Sequence, residues 1–383
     1  MYPSAVAEIL LDAVRNNLRL IRRQAPTPVR ICPAVKANAY GHGVAAILPV
    51  LRDENVDCLA VANLNEALEL RRLDWNRPIL VLGAPLVGDT PADVRDRAAE
   101  ILAADLQASV SSLAEAQSLS QEAVRRNRMA IVHVKIDSGM GRMGLLADAA
   151  ADELTRIAAL PGLKLESIYT HLATADAEDT AFVDEQLAAF ARLRTALAER
   201  NLRVPLLHAA SSAAIFRAPA AHLDMVRPGL CLYGYWCGPT GTRPEGLRPA
   251  MRVVSRIAAL RDLPTGHSVG YGRTYTTSRP SRIGVVPIGY ADGYRRGLSN
   301  NAVMTIERPD GSRAHAPVVG RVSMDQVSID VTDVPGVSPG SRVIVLDDDP
   351  SAPNSVEATA ARLGTIPYEV TCGLGPRVTR VPL

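Results

Sequence analysis

The sequence predicts an α/β protein in two parts: an N-terminal (β/α)8 barrel of the TIM type, residues 1–238, and a C-terminal mostly-β domain, residues 239–383. Three observations carry this expectation. From residue 30 to about 235, short apolar runs of β-branched character alternate with longer stretches of helical period, the rhythm of βα units around a parallel sheet. Eight such runs fall within roughly 240 residues, which suits a barrel in both count and size. After Tyr235 the Gly/Pro-rich stretch CGPTGTRPEG breaks the rhythm, and strand-like runs follow it. Periodicity alone does not distinguish a closed barrel from a doubly wound open sheet.

Taken in order, the opening MYPSAVAEILLDAVRNN does not read as a signal peptide, because Glu8 and Asp12 interrupt its apolar run and no basic segment precedes it. The expected barrel strands are Ile31 to Lys36, Cys58 to Ala62, Ile79 to Leu82, Leu106 to Val110, Ile131 to Ile136, Leu165 to Thr170, Pro205 to His208 and Leu230 to Gly234. Between them, LAEAQSLSQEAVRRN and AFVDEQLAAFARLRTALAER repeat apolar residues three and four apart, as helices do. Beyond the linker, MRVVSRIAAL, SRIGVVPIGY, APVVGRV, QVSIDV and RVIVL read as strands, and only SVEATAARLG reads as a helix. No longer internal repeat or low-complexity tract is visible.

Composition narrows the function classes. With 47% apolar residues the chain can bury two cores. The formal charge is +2, and the basic residues come as isolated pairs such as Arg22-Arg23 and Arg125-Arg126 rather than as a stripe, so a nucleic-acid footprint is not expected. Five scattered cysteines without CxxC spacing suggest reduced thiols, no metal site and a cytoplasmic setting. No stretch approaches the ~18 apolar residues of a membrane span.

In a barrel of this kind, reactive groups gather at the carboxyl ends of the strands. Lys36 ends the first strand in ICPAVKANAYGHG, and the loop after it offers Asn38, Tyr40 and two glycines for close approach to a ligand. A lysine partly desolvated there has a lowered pKa, the condition for an amine to act as a nucleophile near neutral pH. His42 in the same loop reads equally as a core histidine. HVKIDSGMGRMG puts Lys135, Asp137 and Arg142 after the fifth strand, IYTHLATAD puts His171 and Asp176 after the sixth, and HAASSAA puts Ser211 and Ser212 at a strand-to-helix turn. MVRPGLCLYG supplies Arg227 and Gly229. The serines suit helix caps and also a phosphate site late in the strand order. Arg227 suits a surface ion pair and also a cofactor ring.

The blocks AVKANAYGHG, DSGMGRMG, THLATAD, HAASSAA, VRPGLCLYG, VGYGRTY, PIGYADGY, GRVSMDQ and IPYEV, in this order and over essentially the whole length, resemble those of bacterial alanine racemases. No one block is specific, but nine in order are. The resemblance implies a barrel that binds pyridoxal 5'-phosphate, followed by a β domain. It also implies a cytoplasmic homodimer with shared active sites, which supplies D-alanine for peptidoglycan or consumes it in catabolism. By the same resemblance Lys36 carries the cofactor and is one racemisation base, and Tyr271 is the other. Tyr40, Ser212, Gly229 and Tyr368 match phosphate-site positions, Arg227 the arginine at the pyridine nitrogen, and His171 the histidine that links it towards the tyrosine. Arg142 and Met324 match contacts to the cofactor oxygen or substrate carboxylate, Tyr290 lies at the substrate entrance, and Lys135 matches a lysine that is often carbamylated. Two departures flank these positions: Ser211 stands where asparagine is common, and Ser323 where cysteine is common.

The chemistry implied is coherent. A carbanion next to an imine is stabilised by delocalisation. Inversion needs a proton removed on one face and supplied on the other, hence two bases. An arginine at the ring nitrogen cannot readily give up a proton, which shortens the carbanion's life. Barrel-type amino-acid decarboxylases would need an acid where Arg227 stands. A single-barrel pyridoxal-phosphate carrier would need neither residues 240–383 nor Tyr271. A broad-specificity or serine racemase would share all these features.

Overall fold

A computed structural model describes residues 4–239, 241–308 and 310–383. Eight parallel strands form the first unit: Arg30–Ile31, Leu59–Val61, Ile79–Val81, Gln107–Val110, Ala130–Asp137, Leu163–Tyr169, Leu206–His208 and Met225–Val226. The second to seventh are hydrogen-bonded in order. The ring closes through the first and eighth. Met225–Val226 pairs with Arg30–Ile31, the N–H of Arg227 donates to the Ala210 carbonyl at 2.9 Å, and the N–H groups of Ala60 and Val35 donate to Pro33 and Ala60 at 2.8 Å. The barrel is therefore closed, and the open-sheet alternative falls.

Two expected strands differ. The first is cut short because Pro33 has no N–H to donate, and pairing resumes only at a bridge between Ala34 and Ala60. The eighth is Met225–Val226 rather than Leu230 to Gly234. Pro228 and Gly229 end the extended chain, and Leu230–Tyr233 becomes a buried 3-10 helix. The shift leaves Arg227 immediately after the last barrel strand.

The β unit contains a six-stranded sheet in the order Arg313–Pro317, Val303–Glu307, Arg342–Leu346, Met251–Arg256, Ala5–Ile9, Thr379–Pro382. Ala5–Ile9 thus joins this sheet, not the barrel that follows it in the chain. Its Glu8 is held by Arg252 at 2.8 Å and Arg342 at 2.7 Å, both from strands of this sheet. A three-stranded sheet (Ala259–Leu263, Ser281–Val286, Val327–Asp330) and a small hairpin (Ser268–Val269, Tyr275–Thr276) complete the strands. MRVVSRIAAL is therefore two strands in two sheets. Besides the expected helix Val356–Leu363, a second helix, Pro367–Cys372, begins at a proline that suits the first helical turn.

Candidate active site

Lys36 opens a turn of unusual hand. Ala37, Asn38, Ala39 and Tyr40 all have φ between 51° and 56°, a left-handed turn that costs L-residues roughly 1–2 kcal/mol each. The surroundings offset that cost. Glu66 accepts the Ala37 N–H at 2.8 Å and the Ala62 N–H at 2.7 Å, so one carboxylate ties the turn to the second strand. The Asn38 side chain accepts from Val44 N–H at 2.7 Å, and Arg380 donates to the Gly41 carbonyl at 2.9 Å. The result aims Lys36 into a cavity of about 440 Å³ at the barrel mouth. Burial, then the Arg142 charge, lowers the pKa of its amine.

Opposite Lys36 lies a cationic floor. Arg227 is buried and has no carboxylate partner among the described residues. Its guanidinium donates to His208 Nδ1 at 2.6 Å, to the carbonyls of Thr170 (2.8 Å) and Ala209 (3.1 Å), and towards His171 Nδ1 at 3.5 Å. It also lies 5.3 Å over the Tyr169 ring, while Lys135 Nζ lies 5.4 Å over the same ring. Desolvation, with Arg227 next in weight, drives the His171 pKa down to about 3, so its imidazole is neutral. Burial, then Arg227, lowers Lys135 to about 8. Asp137, at the end of the same strand as Lys135, accepts the N–H groups of Gly139 and Arg142 and so shapes the loop that carries Arg142.

The far end is a cradle of hydroxyls. Ser212 Oγ accepts the N–H groups of Gly229 (2.9 Å) and Cys231 (3.2 Å), which leaves its own hydrogen free to donate. A Cβ at Gly229 would lie 2.5 Å from the Tyr40 hydroxyl, so only glycine lets the chain pass so close. Tyr40 packs against Tyr233 and Tyr368, with ring centroids 5.0 and 5.7 Å away. Lys36, Tyr40, Lys135, Arg142, His171, Ser211, Ser212, Arg227, Gly229 and Tyr368 all line one cavity. His42 does not. It is fully buried in the core, stacked 4.4 Å from Tyr233, and burial lowers it to about 4. Asp176 is exposed and meets Cys237.

Sequence reasoning missed Glu66, Tyr169 and His208. Tyr169 and His208 stack in parallel at 4.8 Å. Both end barrel strands, a signal available in SIYTH and LLHAA that was passed over for the more polar residues beside them.

Comparison with known proteins bears on this geometry directly. Residues 9–236 match the family model for the alanine racemase N-terminal domain, and residues 250–382 match that for the alanine racemase C-terminal domain. The chain belongs to the alanine racemase family. It is 39% identical to alanine racemase 1 of Caldanaerobacter subterraneus subsp. tengcongensis, over 98% of this chain and 93% of the relative. It is similar in structure to the Clostridium difficile 630 alanine racemase (TM-score 0.90, 34% identity, 100% of this chain and 96% of that one). It also resembles the Bartonella henselae alanine racemase with covalently bound pyridoxal phosphate (TM-score 0.85, 27% identity, 100% of both chains).

Against an alanine racemase frame, three expected site residues lie elsewhere. Tyr271, Tyr290 and Met324 are 72%, 43% and 53% exposed on the β unit and do not line the cavity. Tyr271 sits on a tight turn, with Gly270 and Gly272 at φ 72° and 70°. Tyr290 and Met324 are brought together: the N–H of Tyr290 donates to Ser323 O at 3.1 Å and that of Ala291 to Met324 O at 3.0 Å. Ser323, the departure from cysteine, accepts from Gln326 N–H at 3.0 Å and stabilises that turn. Among the described residues no helix is long and apolar enough to cross a membrane, and no cluster of His, Cys, Asp and Glu could hold a metal ion.

Proposed function

We propose that this chain interconverts L- and D-alanine, with pyridoxal 5'-phosphate held at the barrel mouth, and that two copies pair so that each supplies Tyr271 to the other's site. The observation that carries the reading is one cavity with a desolvated amine, Lys36, and a buried guanidinium without an anion, Arg227. The residues fit the cofactor. Tyr40, Ser212, Tyr368 and the Cβ-free Gly229 would hold its phosphate, Arg227 would face its ring nitrogen, and Lys36 would carry it covalently. The alanine racemase names of the relatives and the bound pyridoxal phosphate of the Bartonella henselae protein support this assignment.

Bound there, the cofactor supplies an electron sink for the pair left when the α-proton departs. The chain does the rest. Lys36 Nζ, its cationic form disfavoured by burial and by Arg142, is set to accept a proton on one face. Arg227 holds its proton and presents a permanent charge to the ring nitrogen, which opposes protonation there. Arg142, exposed at the cavity wall, suits a carboxylate. Tyr271 Oη, with Tyr290 and Met324 beside the substrate, serves the opposite face from the partner copy. The exposure of all three, with Tyr290 and Met324 adjoining each other, supports such a pairing.

The test is a chiral assay of purified protein against a panel of amino acids, joined to borohydride reduction and peptide mapping. Alanine should be racemised and a pyridoxyl group should be found on Lys36. Tyr271→Phe should lower racemisation by about 10² to 10⁴, the usual worth of a positioned acid or base. In deuterated water that variant should still exchange the α-proton of D-alanine, and that of L-alanine far more slowly. Labelling of another lysine, or equal exchange from both enantiomers, would sink the assignment.

A further inference from the structure

Barrel interiors are filled mostly by branched apolar side chains. Here the fourth to seventh strands instead carry, at alternate positions, Gln107 and Ser109, His133 and Lys135, Ser167 and Tyr169, and His208. Register places Lys135, Tyr169 and His208 side by side at the mouth, with His133 beside Ser167 one layer deeper. From this stripe runs an unbroken chain of hydrogen bonds. Arg227 Nη1 meets His208 Nδ1 at 2.6 Å, His208 Nε2 meets Ser167 Oγ at 2.9 Å, Ser167 Oγ meets His133 Nδ1 at 2.6 Å, and His133 Nε2 meets Gln107 Oε1 at 2.9 Å.

The direction of every bond follows from one fact: a guanidinium only donates. His208 Nδ1 must then accept, so its hydrogen is on Nε2 and is donated to Ser167. The serine hydrogen goes on to His133 Nδ1, whose own hydrogen on Nε2 ends at the amide oxygen of Gln107. Both imidazoles are neutral in this arrangement, in keeping with burial that pushes His133 down to about 4 and His208 well below its ordinary value. Burying a cation without hydrogen-bonding partners is costly. A carboxylate would satisfy it but would offset its charge.

We propose that Ser167, His133 and Gln107 are positioning residues for Arg227: they hold His208 as a neutral acceptor, so that the guanidinium is fixed and solvated without an anion and keeps its whole charge towards the ring nitrogen. The role of that charge rests on the racemase reading above. The hydrogen-bonded order of the chain does not.

The test compares Ser167→Ala, which removes the middle link, with Ser167→Thr, which keeps a hydroxyl. In cofactor-free protein labelled with ¹⁵N-histidine, His133 and His208 should each show a single neutral form with hydrogen on Nε2. In Ser167→Ala, His133 loses its donor and a second form, with hydrogen on Nδ1, should appear. In the loaded enzyme kcat should fall about ten-fold with KM for alanine little changed, the scale of one lost buried hydrogen bond near a charge. Ser167→Thr should restore both readouts. Unchanged tautomers with a fallen kcat would mean that Ser167 only packs, and altered tautomers with an unchanged kcat would mean that the chain does not serve Arg227. Either result overturns the proposal. A wild-type protein without racemase activity would refute the racemase reading instead, and a wild-type His133 in mixed tautomers would then refute the chain.

Discussion

Lys135 sits where an ammonium is hard to keep. It is buried, its Nζ donates to the Ile136 carbonyl at 2.9 Å, and Arg227 and Arg142 are both near enough to repel it. With its pKa drawn down from 10.5 to about 8, roughly half the amine is neutral at pH 8. A neutral amine adds carbon dioxide, with loss of one proton, to give a carbamate anion. We predict that Lys135 carries this group and that it steadies Arg142, which has no ion pair among the described residues. Protein equilibrated with ¹³C-bicarbonate should show a carbamate resonance at pH 8 that fades towards pH 6, as the amine takes up its proton. A bare amine at pH 8 would refute the idea. In protein freed of carbon dioxide, between about 8 and 10.5 the unfolded chain binds more protons at this lysine than the folded one, so the bare amine's contribution to stability rises with pH through that window. Lys135 and Arg142 were legible as charges in and just after the end of an apolar strand. Ser167 and His133 were not, because a polar residue at every second position of a strand ordinarily means a wet face, and here that face points into the barrel.

The element that decides the site is the left-handed turn after Lys36, and it depends on the domain seam. Gly41 has φ 83°, and a Cβ there would lie 2.1 Å from the carbonyl oxygen of Thr371, in the helix Pro367–Cys372 that also carries Tyr368. Gly41→Ala should therefore destabilise the protein by about 2–4 kcal/mol through collision and strain. It should also weaken pyridoxal-phosphate binding, because Lys36 and Tyr368 move apart. A urea midpoint and a cofactor titration both equal to wild type would show the contact to be yielding. The two glycines of AYGHG announced a close approach, but not to what, since no local pattern reveals a partner more than three hundred residues away. The eighth strand failed for a related reason. LCLYG is a longer apolar run than MV, yet Pro228 and Gly229 stop the extended chain before it, and backbone geometry outweighed hydrophobicity.

At the scale of the molecule, Lys36 and Tyr271 belong to different units, and in a single chain they do not meet. A shared site makes a stoichiometric prediction. Lys36→Ala and Tyr271→Ala proteins should each be inactive. After subunit exchange at equal amounts, half the dimers are mixed and each has one intact site, so about a quarter of wild-type activity should return. Mixed dimers demonstrated by mass yet wholly inactive would rule out the exchange of tyrosines. The two-part architecture was legible because each part has its own period, whereas the placing of Ala5–Ile9 was not, because an isolated apolar strand does not declare which sheet it will join. That strand lies between Met251–Arg256 and Thr379–Pro382, so the large sheet sets side by side strands that are far apart in the sequence. Every barrel strand, by contrast, is complete by Val226. During synthesis the barrel is therefore free to form while its neighbour is still unfinished, and Ala5–Ile9 must wait beside a folded body for partners made about 250 and about 370 residues later.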